Sequence, residues 1–204
     1  MPSLRKTISA AAVAIFLSCP FAANAQQFGL QMGETVRQIQ SKGIVLKRDD
    51  LAGGNWWDTG YLPYGNNSFS SYSLLFGSAA GLCKIIALAV VEDSGYGDKT
   101  RKLYDNLKQA LTNRYGQGEE NEFLRNGAIW TGGHEWMWSL SDRERVHSTS
   151  WLTVNDALYR KNLQGIKLDA TGVNPGSSLV TVVYEFRNFE KCRIEAKARR
   201  DSNL

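Results

Sequence analysis

The chain is poor in the residues and spacings that most often carry catalysis. It has two histidines in 204 residues, His134 and His147. His134-Glu135 opens like a zinc-protease helix, but that motif needs a second histidine one helical turn on, and position 138 is tryptophan. There is no C-x-x-C for a dithiol or metal centre. There is no G-x-S-x-G, and Ser150 beside Trp151 reads as a serine in a strand. GGNWWDTG has the wrong spacing for a phosphate loop and lacks its lysine. A glycosidase needs two carboxylates flanking the bond it cuts, and nothing in the spacing of the twenty acids selects a pair. The expectation is no catalytic residue, no cofactor and no metal.

Strong charge and a long apolar run are missing too. The formal net charge is +4, and Arg5 and Lys6 near the N-terminus supply two of those charges. Nucleic-acid binding, which shows as a pronounced basic patch, is not expected. The run Ile8 to Leu17 is well short of the roughly 18 to 20 apolar residues that cross a bilayer, so no integral membrane span is expected.

That short run has another reading. Arg5 and Lys6 precede it, and Ala23-Asn24-Ala25 follows with small residues at the two positions a signal peptidase reads. This is the layout of a cleaved secretory signal, with the cut after Ala25. A lipoprotein signal ending at Cys19 fits less well, because Phe16-Leu17-Ser18 precedes the cysteine and Pro20 follows it. The mature protein would be one domain, 26–204, periplasmic or secreted. It would keep Cys83 and Cys192, an even pair in an oxidising compartment, and a Cys83–Cys192 disulfide is expected.

The pattern along the chain predicts an α+β fold, an antiparallel sheet with helices packed on one face. Residues 26–30 read as a short opening strand. Thr35 caps a helix over about 35–42, and Gly43 ends it. Residues 44–48 read as a strand. Tyr72 to Phe76 and Leu82 to Val91 flank the small-residue turn GSAAG, which predicts a hairpin with a central, largely buried second strand. Leu103, Leu107, Ala110 and Leu111 form the stripe of an amphipathic helix over 100–115, with Thr100 as its cap and Gly116 as its stop. GIKLDATGV and SSLVTVVYEF read as paired strands, and 189–200 as a terminal helix carrying Cys192. Each half also reads loosely as helix, strand, then hairpin.

Two segments carry the aromatic residues that invite a functional reading. Residues 49–71 are broken by glycine, asparagine and proline and read as irregular, yet they hold Trp56, Trp57, Tyr61 and Tyr64. Such rings either fold back onto the core or bind something, so these four are the candidate partner-binding residues. The stretch GGHEWMWSLSDRERVHSTSW, 132–151, fits a short helix over 134–142 followed by a strand from 146 to 154. It also fits a hairpin through SDRER. Its large side chains are expected in the core.

FGLQMGETVRQIQSKG, followed by YSLLFGSAAGLCKIIA, resembles the start of small bacterial envelope proteins with an F-G-L-x-x-G-x-[ST] opening and a G-L-x-x-I strand. The likeness extends, over 28–86 at most, to the helix-plus-sheet modules of the SmpA/BamE assembly lipoproteins and of the β-lactamase inhibitor protein. It implies a small envelope module that binds proteins, and it transfers no site residue. The function expected is therefore a non-catalytic exported protein: an envelope accessory, inhibitor or immunity-type factor. Its partner would be another protein of the envelope or periplasm. The alternative is a small secreted hydrolase acting on cell wall or glycans.

Overall fold

The computed structural model describes residues 26–49, 55–152 and 156–202. The expected signal segment, 1–25, lies outside the described residues, as do 50–54 of the aromatic stretch and 153–154 at the end of one expected strand. Helix α1 (Val36–Gln40) is followed by strands β1 (Lys47–Arg48), β2 (Trp56–Thr59), β3 (Ser71–Gly77) and β4 (Gly81–Glu92). Helix α2 (Asp98–Tyr115) leads to β5 (Glu119–Leu124), then a 3-10 turn at Gly133–Glu135, α3 (Trp136–Ser141) and β6 (Arg145–Leu152). Helix α4 (Asp156–Tyr159), β7 (Leu163–Asn174), β8 (Ser177–Phe186) and α5 (Phe189–Asp201) complete the chain.

All eight strands join one antiparallel sheet in the order β1-β2-β3-β4-β8-β7-β6-β5. The fold is α+β. Each half opens with a helix and supplies four strands, the second half with α3 and α4 inserted between its strands, and the last strand of each half meets the other at the centre, β4 against β8.

Alternation along the central strands fixes which face is the core. Ile85, Ala87 and Ala89 of β4 are buried beside Val180, Val182 and Tyr184 of β8. Side chains point to opposite faces at successive positions, so these six share one side. Helix α2 lies over that side. Leu107 and Leu111 enter the core, the Tyr104 hydroxyl lies 2.7 Å from Thr149 Oγ1, and Thr100 Oγ1 lies 2.8 Å from Ser178 Oγ. Burying one such leucine contributes about 1.5–3 kcal/mol. Trp136, Met137, Leu140 and Trp151 are buried in the same cluster, so most large side chains of 132–151 are core, in a segment built as turn, helix and strand; Trp138, expected with them, is 42% exposed.

Several boundaries differ from the sequence reading, each for a local reason. Residues 26–30 are a tight turn, in which Gln27 and Leu30 each donate an N–H to the other's carbonyl at 2.9 Å. Phe28 (φ 54°) and Gly29 (φ 87°) take left-handed conformations there, which glycine accepts without strain. The turn drives Phe28 among Phe69, Tyr72 and Tyr184. Helix α1 starts with a capping box: Gln38 N–H donates to Thr35 Oγ1, and Thr35 N–H donates to Gln38 Oε1. Of the strand expected over 44–48, only Lys47–Arg48 pairs. Residues 56–59, expected to be irregular, form β2 because β3 offers them a ladder. Thr100 is not the cap of α2, which starts two residues earlier with Gly97 as its N-cap. Strand β5, with the sequence EENEFL, carries too little apolar pattern to stand out, and its three glutamates suit an outer strand that must not recruit another chain.

Helix α5 closes the end of the sheet at the β3–β4 turn. Cys83 and Cys192 are disulfide-bonded, with Cα atoms 6.5 Å apart. Around the bond, Asn188 Nδ2 donates to the carbonyls of Ala80 and Leu82. Glu195 accepts from Ser78 Oγ and from the backbone N–H groups of Ala79 and Ala80. Burial tends to raise the Glu195 pKa, and these hydrogen bonds outweigh it and hold the carboxyl below its ordinary value.

Candidate functional site

With α1 to α4 gathered on one face, the opposite face of the sheet is met among the described elements only by α5 at the β3–β4 end, where the Phe189 ring lies 4.9 Å from Lys84 Nζ. Pairing registers align its side chains in rows. One row runs Asp58, Ser73, Ile86, Val183, Lys167 and Ser150 across six strands. Its middle is apolar: Ile86 and Val183 sit there, with Leu88 in the next row. All are partly exposed.

Two shallow recesses mark this face. The central one, about 280 Å3, lies over β4, β8, β7 and β6 and is bordered by Lys84, Val183, Glu185 and Leu152. Gly165 leaves it open, because no side chain stands at that position. The Lys84 Nζ to Glu185 Oε1 ion pair, 2.8 Å, forms its polar rim. The second, about 370 Å3, lies near the β1–β2 edge between Val45, Lys47, Asp58 and Tyr61. Glycines at 43 and 60 keep it open.

The four candidate aromatic residues divide between environments. Trp57 pairs with Leu74, a core residue, and packs against the core cluster. Trp56 pairs with Leu75 and so points to the uncovered face. Tyr61 (64% exposed) borders the edge recess, and Tyr64 (74% exposed) stands farther along the same loop. The structure therefore brings Trp56 and Tyr61 to the uncovered side and takes Trp57 inward. Two adjacent tryptophans in a strand cannot share a face. The apolar positions 86 and 88 were hidden from sequence reading inside a strand that looked largely buried. The signal that finds them is alternation referred to a sheet with one covered side.

The two histidines do not form a common site. His134 is exposed on the 3-10 turn, its ring centre 6.5 Å from that of Tyr96. His147 is buried, its ring 4.1 Å from Tyr104 and 5.4 Å from Trp136. Glu122 Oε1 lies 3.1 Å from His147 Nδ1 without a hydrogen-bonding alignment. Burial depresses the His147 pKa below its ordinary 6.5, against the opposing pull of Glu122. Among the described residues, no three His, Cys, Asp or Glu side chains are placed to hold a metal ion. Each of the two recesses on the uncovered face has a single carboxylate on its rim, Glu185 or Asp58. No described helix is long and apolar enough to cross a membrane.

No family model, no curated protein and no solved structure matches the chain.

Proposed function

We propose that this chain is a non-catalytic exported protein that docks a protein partner of the envelope or periplasm on the uncovered face of its sheet. The observation that carries the reading is the eight-stranded sheet whose helical layer covers one side, with apolar side chains at the centre of the other. A sheet in water gains stability by burying such a face, and a contiguous apolar patch rimmed by charge is the usual mark of a protein contact. The two recesses support the same reading, since anchoring side chains of a partner fill pockets of this kind. The likeness of the FGLQMGET start to envelope protein-binding modules points the same way. The signal-like first 25 residues support export, and the disulfide is compatible with it.

The test is capture from the organism's own envelope fraction with three immobilised proteins: wild type, Ile86→Glu on the uncovered face, and Lys102→Glu on the outer side of α2. Circular dichroism first establishes that all three fold. Wild type and Lys102→Glu should retain the same protein, and Ile86→Glu should lose it. Equal retention by a folded Ile86→Glu would remove the docking face. An unprocessed N-terminus on native material, read by mass spectrometry, would remove export.

A further inference from the structure

Strands β6 and β7 part company at one end. They pair from Leu152↔Gly165 only as far as Ser148↔Asp169, and Arg145 to His147 have no partner on β7. The cause is α3, whose last turn fills the space over β7. A Cβ at Gly172 would collide with the backbone of Leu140 and Ser141. The parted strands leave a recess of about 250 Å3.

The lining of this recess is unusual for its charge. Arg125, Arg143, Arg145 and Lys167 border it, with Asp169 as the sole acid. Asp169 is already engaged, by Lys167 Nζ at 3.0 Å and by the Thr171 hydroxyl at 3.0 Å. Glu144, next to Arg143 in the chain, accepts from the backbone N–H groups of Ile129 and Trp130. None of the three arginines forms an ion pair among the described residues. Two are anchored through Nε alone: Arg125 donates to the Arg143 carbonyl at 2.9 Å, and Arg145 to Ser139 Oγ at 3.0 Å. Their terminal nitrogens remain available to a ligand.

Arg143 itself adopts φ 59° as part of the α3 stop, where the Glu144 N–H donates to the Ser139 carbonyl at 2.8 Å. One further feature points to an occupant. His147 also lines the recess. The residue is 7% exposed; Glu122 Oε1 lies 3.1 Å from its Nδ1 out of hydrogen-bonding alignment, and its Nε2 has no hydrogen-bond partner. Buried polar atoms are normally satisfied. The recess therefore gathers three arginines and a lysine around one acid that is already paired, with the Arg145 guanidinium held 5.8 Å over the Trp136 ring.

We propose that the recess between the parted ends of β6 and β7 binds a compact dianionic oxyanion of the phosphate type. Guanidinium groups present paired donors that match tetrahedral oxygens, which favours such a ligand over a point charge. The volume is small for an organic ligand and suits one anionic group. That group is either a free ion or the terminal phosphate of a larger molecule. The site shares Lys167 with the central recess of the docking face, but its three arginines and His147 lie outside that recess, so it stands if that reading fails.

The test is calorimetric titration of the full chain with inorganic phosphate, glycerol phosphate and acetate, at ionic strength held constant with chloride. Phosphate should saturate a single site, and acetate should not compete. Arg143→Gly should weaken phosphate binding about tenfold, the loss expected for one charge-assisted contact. It should do so while leaving the thermal midpoint without phosphate unchanged or higher, because glycine accepts the backbone. Arg125→Gln should weaken binding similarly, and Lys191→Gln on α5 should not. Tighter binding of glycerol phosphate would identify a phosphorylated molecule as the source, and tighter binding of inorganic phosphate a free ion. No saturable heat with either, undiminished binding in Arg143→Gly, or equal competition by acetate would overturn the proposal.

Discussion

His147 shows how burial sets the chemistry of a single residue. It sits under Tyr104 and beside Trp136, and desolvation of its charged form outweighs the attraction of Glu122 and the weaker pull of Asp105. The folded pKa is therefore below 6.5, so the unfolded chain takes up this proton at a higher pH than the folded one. Stability is full above pH 6.5 and falls as the pH drops through the window between 6.5 and the lower folded value. Urea unfolding across that window should show the loss in wild type and a flatter profile in His147→Gln. Identical slopes would assign the loss to other groups. In the sequence His147 is an ordinary residue of a β-strand, because desolvation depends on rings contributed by α2 and α3.

Helix α2 illustrates what an element takes from its surroundings. Its stop at Gly116 (φ 84°) is visible as spacing and holds, while its stripe holds in part: Leu107 and Leu111 are buried and Leu103 half-buried, but Ala110 is exposed and the buried face runs through Tyr104 and Tyr115 instead. Its N-terminal cap comes from outside the helix. Asp93, at the end of β4, accepts from the Thr100 N–H at 2.7 Å and from the Thr100 hydroxyl at 2.8 Å. Burial raises the Asp93 pKa, but hydrogen bonds from Thr100, Ser94 and Lys99 outweigh it and hold the carboxyl below 3.8. Thr100, the residue that looks like the cap, lies one turn inside and bridges Asp93 to Ser178 of β8. Asp93→Ala should lower unfolding free energy by about 1–2 kcal/mol, the usual cost of a lost cap, measured by chemical denaturation at neutral pH. A variant as stable as wild type would show that the helix dispenses with it. Strand β2 makes the complementary point, since WWDT is a strand only because β3 lies beside it.

For the molecule as a whole, the Cys83–Cys192 bond joins the centre of the sheet to the last helix across 109 positions. In the chain-entropy account, closing a loop of that length contributes about 4–5 kcal/mol, mainly by restricting the unfolded chain. Reductant should therefore lower the melting temperature of the purified protein by many degrees, read by calorimetry with and without dithiothreitol. Coincident melts would show that the bond adds nothing to the folded state.

The sequence alone determined the fold class, the β3–β4 and β7–β8 pairs, the helices α2 and α5, and the disulfide. Each of these rests on local periodicity or on a count of two cysteines, which physics reads without knowing what lies opposite. Tertiary structure decided which face of the sheet stays uncovered, that Trp56 turns outward while Trp57 turns in, and that three arginines and a buried histidine meet where β6 leaves β7. Those outcomes depend on register between strands far apart in the chain and on where α3 wedges against Gly172. No single segment contains that information.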